Sequence, residues 1–144
     1  MSKLVDLNTN IPSMDSIMKH ILLIEDDLDD QEIFLSALGN LEVLIACETA
    51  LSGNEALKRL QAGDLKPDLI FVDFNMAGMR GFKFLNQIKL DPELKKIPVI
   101  IFSDSAEPQE IEMAKSAGAW QFITKPEKIE ELEKILSDAI ETLG

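Results

Sequence analysis

Four short apolar runs limit what this chain can fold into. They are Ile21-Leu22-Leu23-Ile24, Leu69-Ile70-Phe71-Val72, Val99-Ile100-Ile101-Phe102 and Phe122-Ile123-Thr124. Each is the length of a strand, and each runs into a polar group: Glu25-Asp26-Asp27, then Asp73, Ser103 and Lys125. Continuous apolar strands belong to a sheet covered on both faces, which is the habit of parallel sheets. In open α/β sheets ligands bind outside the carboxyl ends of the strands. The pattern therefore predicts a parallel sheet with one working edge, where carboxylates, a hydroxyl and an ammonium far apart in sequence converge.

The stretches between the runs read as helices. Residues 29–38 carry Ile33, Phe34, Ala37 and Leu38 at helical spacing, and Gly39-Asn40 end them. A second strand is expected over 43–46. Ser52 with Glu55 forms a candidate capping box for the next helix, which Gly63 ends. Residues 75–81 read as a loop and 82–90 as a helix. Pro98 opens the fourth strand, 108–116 is helical up to Gly118, and Pro126 opens the last helix. That helix carries Ile129, Leu132, Ile135, Leu136, Ala139, Ile140 and Leu143 on one stripe. Five strands alternating with five helices make a doubly wound α/β fold.

Composition narrows the function classes. With 144 residues the chain holds one domain with a real core. The net charge of −12 argues against a nucleic-acid surface, which needs clustered Lys and Arg. No apolar run approaches the roughly 18–20 residues that a membrane-spanning helix needs. The single cysteine, Cys47, excludes an intrachain disulfide and fits a reducing, cytoplasmic setting. Residues 1–18 read as a flexible leader, with Met14 or Met18 as an alternative start, and 19–144 as the domain, with no output domain after it.

Carried together and in this order, "ILLIEDD", "PDLIFVDFNMAG", "PVIIFSDS" and "FITKP" resemble a bacterial response-regulator receiver domain of the single-domain, CheY-like kind. The resemblance spans residues 19–143. It implies a flavodoxin-like three-layer sandwich with strand order 2-1-3-4-5. It implies Asp73 as phospho-acceptor and an Mg²⁺ site made by Asp26, Asp73, the Asn75 backbone carbonyl and, through water, Glu25. Asp27 is left as either a third acid of that site or a solvated side chain. Lys125 is expected to balance phosphoryl charge, Ser103 to hydrogen-bond a phosphoryl oxygen, and Phe122 to turn inward as the switch aromatic. The implied partners are a sensor histidine kinase or histidine phosphotransfer protein and a downstream protein target. The physics agrees: at about 5 Å and an effective dielectric near 20, each pair of like charges costs roughly 3 kcal/mol, which a divalent cation relieves.

Other residues carry expectations of their own. Asp29, Asp30 and Glu32 read as partners of a helix N-terminus rather than as ligands. His20 reads as a solvated strand start. Trp120 is either an interface anchor on the face of the fourth helix, fifth strand and fifth helix, where a partner or second copy would dock, or a partly buried core residue. Ala77, Arg80 and Asp104 depart from the family pattern, and Asp104 places another carboxylate beside Ser103. The reading is a stand-alone phosphorylation switch rather than a turnover enzyme. The alternative is an aspartate-nucleophile, Mg²⁺-dependent phosphatase or phosphotransferase, for which Asn75 stands where a second Asp is wanted.

Overall fold

A computed structural model of the chain describes residues 18–75 and 81–143. Five parallel strands form one sheet: β1 (Lys19–Ile24), β2 (Ile45–Ala50), β3 (Leu69–Asp73), β4 (Val99–Ser103) and β5 (Gln121–Thr124). Their order is β2-β1-β3-β4-β5. Five helices connect or follow them: α1 (Leu28–Gly39), α2 (Gly53–Gln61), α3 (Gly81–Lys89), α4 (Pro108–Ser116) and α5 (Ile129–Leu143), with one 3₁₀ turn over Leu94–Lys96. The chain leaves β1 toward one edge and returns to build toward the other. The crevice between β1 and β3 is therefore the switch point at which α/β sheets hold ligands.

Alternation along the strands divides the core in two. Leu22, Ile24, Ile70, Val72, Val99 and Ile101 face α2, α3 and Ala114 of α4, with Phe84, Leu85 and Ile88 packed on them. Ile21, Leu23, Leu69, Phe71, Ile100 and Phe102 face α1 and α5, which contribute Phe34, Leu38, Leu132 and Leu136. Every residue of β3 and β4 is buried, including the polar ends Asp73 and Ser103. Three rings tie α1 to the sheet below the carboxyl edge: Phe34 lies 5.0 Å from Phe71 and 6.0 Å from Phe102, and Phe71 lies 5.5 Å from Phe102. The two pairs made by Phe34 are edge-on and add specific geometry to the burial of large apolar area. No helix among the described residues is long and apolar enough to cross a membrane.

The elements depart from the sequence expectations in four places. β2 begins at Ile45 and runs to Ala50, while Val43 is half exposed. It is an edge strand, and its ladder with β1 (Lys19↔Ile45 to Ile24↔Ala50) extends through the polar Glu48 and Thr49, which carry no apolar signal. Ile33 faces outward: α1 buries Gln31, Phe34, Ala37 and Leu38 instead. The last helix starts at Ile129, three residues beyond Pro126. Ser52 does cap α2, accepting from the Glu55 N–H at 3.1 Å, but the Glu55 carboxylate reaches the Leu51 N–H at 3.1 Å rather than that of Ser52. Gly63 (φ +82°) and Gly118 (φ +92°) end α2 and α4 in the left-handed region, as helix-stop glycines do.

Gly81 fixes how closely α3 approaches the working edge. Its N–H donates to the Phe74 carbonyl at 3.1 Å. A Cβ there would lie 2.8 Å from the Asp73 carbonyl oxygen and 3.0 Å from Phe74 Cα, both backbone atoms with no free rotation to yield. Gly81→Ala is expected to lower unfolding free energy by about 1–3 kcal/mol, the usual cost of overpacking a rigid site. Gly39→Ala, where nothing lies within 4 Å of the new methyl, should change it by less than about 0.5 kcal/mol. Urea unfolding of the two variants checks the contrast.

Candidate functional site

The carboxyl edge gathers the polar strand ends. Glu25 and Asp26 follow β1, Asp73 ends β3, and the register Ile24↔Val72 holds the two strand ends side by side. One carboxylate oxygen from each of Glu25, Asp26 and Asp73 lies within 4.8 Å of the others. Glu25 and Asp73 are buried, while Asp26 faces solvent. Backbone amides support both buried acids: the Asp27 N–H donates to Glu25 Oε2 at 3.2 Å and the Asn75 N–H to Asp73 Oδ1 at 3.3 Å. The Gln31 amide donates to the Glu25 carbonyl at 2.8 Å, anchoring the turn that enters α1.

Lys125 enters from the far side of β4. Its backbone N–H donates to the Ser103 carbonyl at 2.7 Å, which continues the β4–β5 ladder one step past the strand. From there its ammonium lies 3.0 Å from Glu25 Oε1, 3.1 Å from Asp30 Oδ2 and 3.5 Å from Asp73 Oδ1. The Ser103 hydroxyl is fully buried and accepts from the Ser105 N–H at 3.2 Å. The Ser105 hydroxyl in turn donates to Glu110 Oε1 on α4 at 3.0 Å.

One cation among several acids shapes the protonation of the site. Burial, partly offset by the Lys125 hydrogen bond and reinforced by the Asp73 charge, pushes the Glu25 carboxyl up to about 7 from its ordinary 4.5. Burial also works to lower the Lys125 ammonium. The Glu25 hydrogen bond, the charges of Asp73 and Glu25 and the Asp30 hydrogen bond outweigh it and hold the ammonium above its usual range. Lys125 thus stays charged, while burial favours the protonated form of Glu25.

Several expected residues find their places here. Asp27 caps α1, accepting from the Asp30 N–H at 3.0 Å, and lies outside the three-carboxylate cluster. Phe122 is partly buried with its ring 6.1 Å from that of Phe74. Trp120 is partly buried against the core on the α1/α5 side. Asp104 is exposed and lines a cavity of about 290 Å³ with Glu25, Asp30, Lys125 and the apolar Phe34 and Phe102. His20 sits at the opposite end of β1, its N–H bound to the Asp68 carboxylate at 2.7 Å. Ala77 and Arg80 lie outside the described residues. Asp30 sits in the first turn of α1 as expected, but the sequence reading did not foresee its contact with Lys125; its place four residues after Asp26, one helical turn on from the carboxylates, was the available signal.

Oxygen-only ligands in a compact acidic cluster fit a hard divalent cation of the Mg²⁺ type. A doubly wound sheet of order β2-β1-β3-β4-β5 whose switch point holds three carboxylates and a lysine is the arrangement of a receiver domain. Residues 21–137 match the family model of the response regulator receiver domain, and the chain belongs to that family, whose members act in two-component signalling. It is 33% identical over 128 residues to the two-component response regulator ARR17 of Arabidopsis thaliana, covering 81% of each chain. Among solved structures it resembles the phosphorylated cyanobacterial phytochrome response regulator RcpA, with a TM-score of 0.79 and 32% identity over 86% of this chain and 92% of the other. It also resembles the Mn²⁺-bound response regulator Rcp1, with a TM-score of 0.74 and 26% identity over 83% and 90%. Relatives thus come from plants as well as bacteria.

The raised Glu25 predicts a pH effect in metal-free buffer. Below about 4.5 the residue is protonated in both folded and unfolded chains. Between about 4.5 and 7 the folded chain holds a proton that the unfolded chain has released, so stability falls as pH rises across this window and levels off above it. The contribution is bounded at about 3 kcal/mol. Urea midpoints of the wild type should fall relative to those of Glu25→Gln over that range; parallel profiles would contradict it.

Proposed function

We propose that the chain is a phosphorylation switch in which Asp73 accepts a phosphoryl group from the phosphohistidine of a sensor kinase or histidine phosphotransfer protein. The observation that carries the proposal is the gathering of Glu25, Asp26 and Asp73 within 4.8 Å, with the Lys125 ammonium 3.5 Å from Asp73. Asp26, Asp73 and the Asn75 backbone carbonyl would hold Mg²⁺ directly and Glu25 through water. When bound, the ion supplies positive charge against the crowded carboxylates and the arriving phosphoryl oxygens. The phosphorylated form of RcpA and the Mn²⁺-bound form of Rcp1 support both parts of this reading.

The chain's own groups divide the work. An Asp73 oxygen attacks phosphorus, the O–P bond forms, and the P–N bond to the donor histidine breaks with its electron pair leaving on nitrogen. Lys125 stabilises the phosphoryl charge from one side. The Ser103 hydroxyl, now held by the Ser105 N–H, turns to donate to a phosphoryl oxygen, and Phe122 moves toward the space it leaves. The conformational shift is read by a protein partner, or by a second copy, on the face of α4, β5 and α5 near Trp120. No substrate turnover beyond this self-modification and its hydrolysis is assigned, and the setting is cytoplasmic. An aspartate-nucleophile phosphatase is not favoured, because Asn75 leaves no second acid two residues after Asp73.

Incubation with Mg²⁺ and acetyl phosphate should add a single phosphoryl group by intact mass, stable in mild acid and lost in base. Asp73→Asn should abolish it, and EDTA should suppress it. Unchanged addition in Asp73→Asn would refute the assignment.

A further inference from the structure

The two shortest bonds of the Lys125 ammonium go to groups other than the acceptor. They run to Glu25 at 3.0 Å and to Asp30 at 3.1 Å, while Asp73 stands at 3.5 Å. An ammonium has three donors, and three carboxylates occupy its surroundings. The three differ in exposure. Glu25's side chain is 3% exposed and that of Asp73 is 9%, whereas Asp30's is 42%. A buried carboxylate deprived of its cation is left as an uncompensated buried charge. Asp30 alone has water at hand to replace the lysine. Its place is fixed independently, since its N–H is held by the Asp27 carboxylate in the first turn of α1, where a helix end favours negative charge.

We propose that Asp30 is a positioning residue for phosphoryl transfer, holding the Lys125 ammonium in competition with Asp73 and releasing it to the phosphoryl group. This rests on Asp73 as the acceptor. Three phosphoryl oxygens with a charge of roughly −1.5 to −2 arrive beside Lys125 when Asp73 is modified. The ammonium must then give up one partner, and Asp30 is the one that water can satisfy. Asp30 is thus a counter-ion that sets how much of the lysine's charge the resting site withholds from the reaction. Its removal leaves the ammonium to Glu25 and Asp73, nearer the work it does in the transition state.

The test follows phosphorylation by acetyl phosphate with Mg²⁺ as a time course of intact mass. Asp30→Asn is compared with Asp29→Asn, an exposed acid of the same helical turn. Each removes one negative charge, so the general gain from weaker repulsion of an anionic donor is common to both. The expected result is that Asp30→Asn is modified about two- to five-fold faster than Asp29→Asn, the scale of a partly exposed ion pair. Asp30→Glu should return toward the wild-type rate. In a Lys125→Met background the difference between the Asn variants should vanish, which a merely structural effect on α1 would not produce. Equal rates for the two Asn variants, or an unchanged difference without Lys125, overturn the proposal. A wild type that is never modified at Asp73 overturns the functional reading itself and this inference with it.

Discussion

A single ammonium set among acids holds the working edge of this molecule together. Lys125 reaches across the sheet from the end of β5 to Glu25 after β1 and Asp73 at the end of β3, so one cation spans strands that are not neighbours in sequence. Without it, two buried carboxylates would face one another in a low-dielectric crevice. The fold makes the meeting unavoidable. Parallel strands must all point their carboxyl ends the same way, and right-handed crossovers return each helix to the opposite edge. The charge that remains after Lys125 is counted is negative, which favours a divalent cation.

The packing below the edge gives that charge arrangement a rigid base. Phe34, Phe71 and Phe102 join α1 to β3 and β4 directly under the acids, and Gly81 lets α3 come within backbone contact of Asp73. Above that base the connections are lighter. Ser103 is held by one amide of the β4–α4 loop, and that loop is tied to α4 through Ser105 and Glu110. Phe122 and Phe74 meet ring to ring on the other face. A rigid floor with a loosely tethered rim suits a two-state switch, in which a local charge change need only exchange a few hydrogen bonds to shift a population.

Much of this was legible in the sequence, for identifiable reasons. β3 and β4 are buried on both faces, so their apolar runs mark them without ambiguity and place Asp73 and Ser103 at their ends. β2 was displaced because an edge strand keeps polar residues such as Glu48 and Thr49, and only its ladder with β1 fixes its extent. Asp27, for which two roles were left open, caps α1 through a local bond to the Asp30 N–H that neither reading named. Asp30 stands in the first turn of α1 as read, but its pairing with Lys125, 95 residues away, is a product of the fold at which its place one helical turn after Asp26 only hints. Ile33 fits the apolar spacing of α1 yet faces outward, because spacing alone does not fix which edge of an apolar stripe meets the core.

A phosphoryl group carried on Asp73 leaves a chemical mark that can be read directly. Borohydride reduces an aspartyl phosphate to homoserine and so marks the modified residue covalently. Peptide mapping of the phosphorylated, reduced protein by tandem mass spectrometry should find homoserine at position 73 and at no other aspartate. Homoserine at a different acid of the cluster, or phosphate found instead on a serine or on His20, would contradict the account.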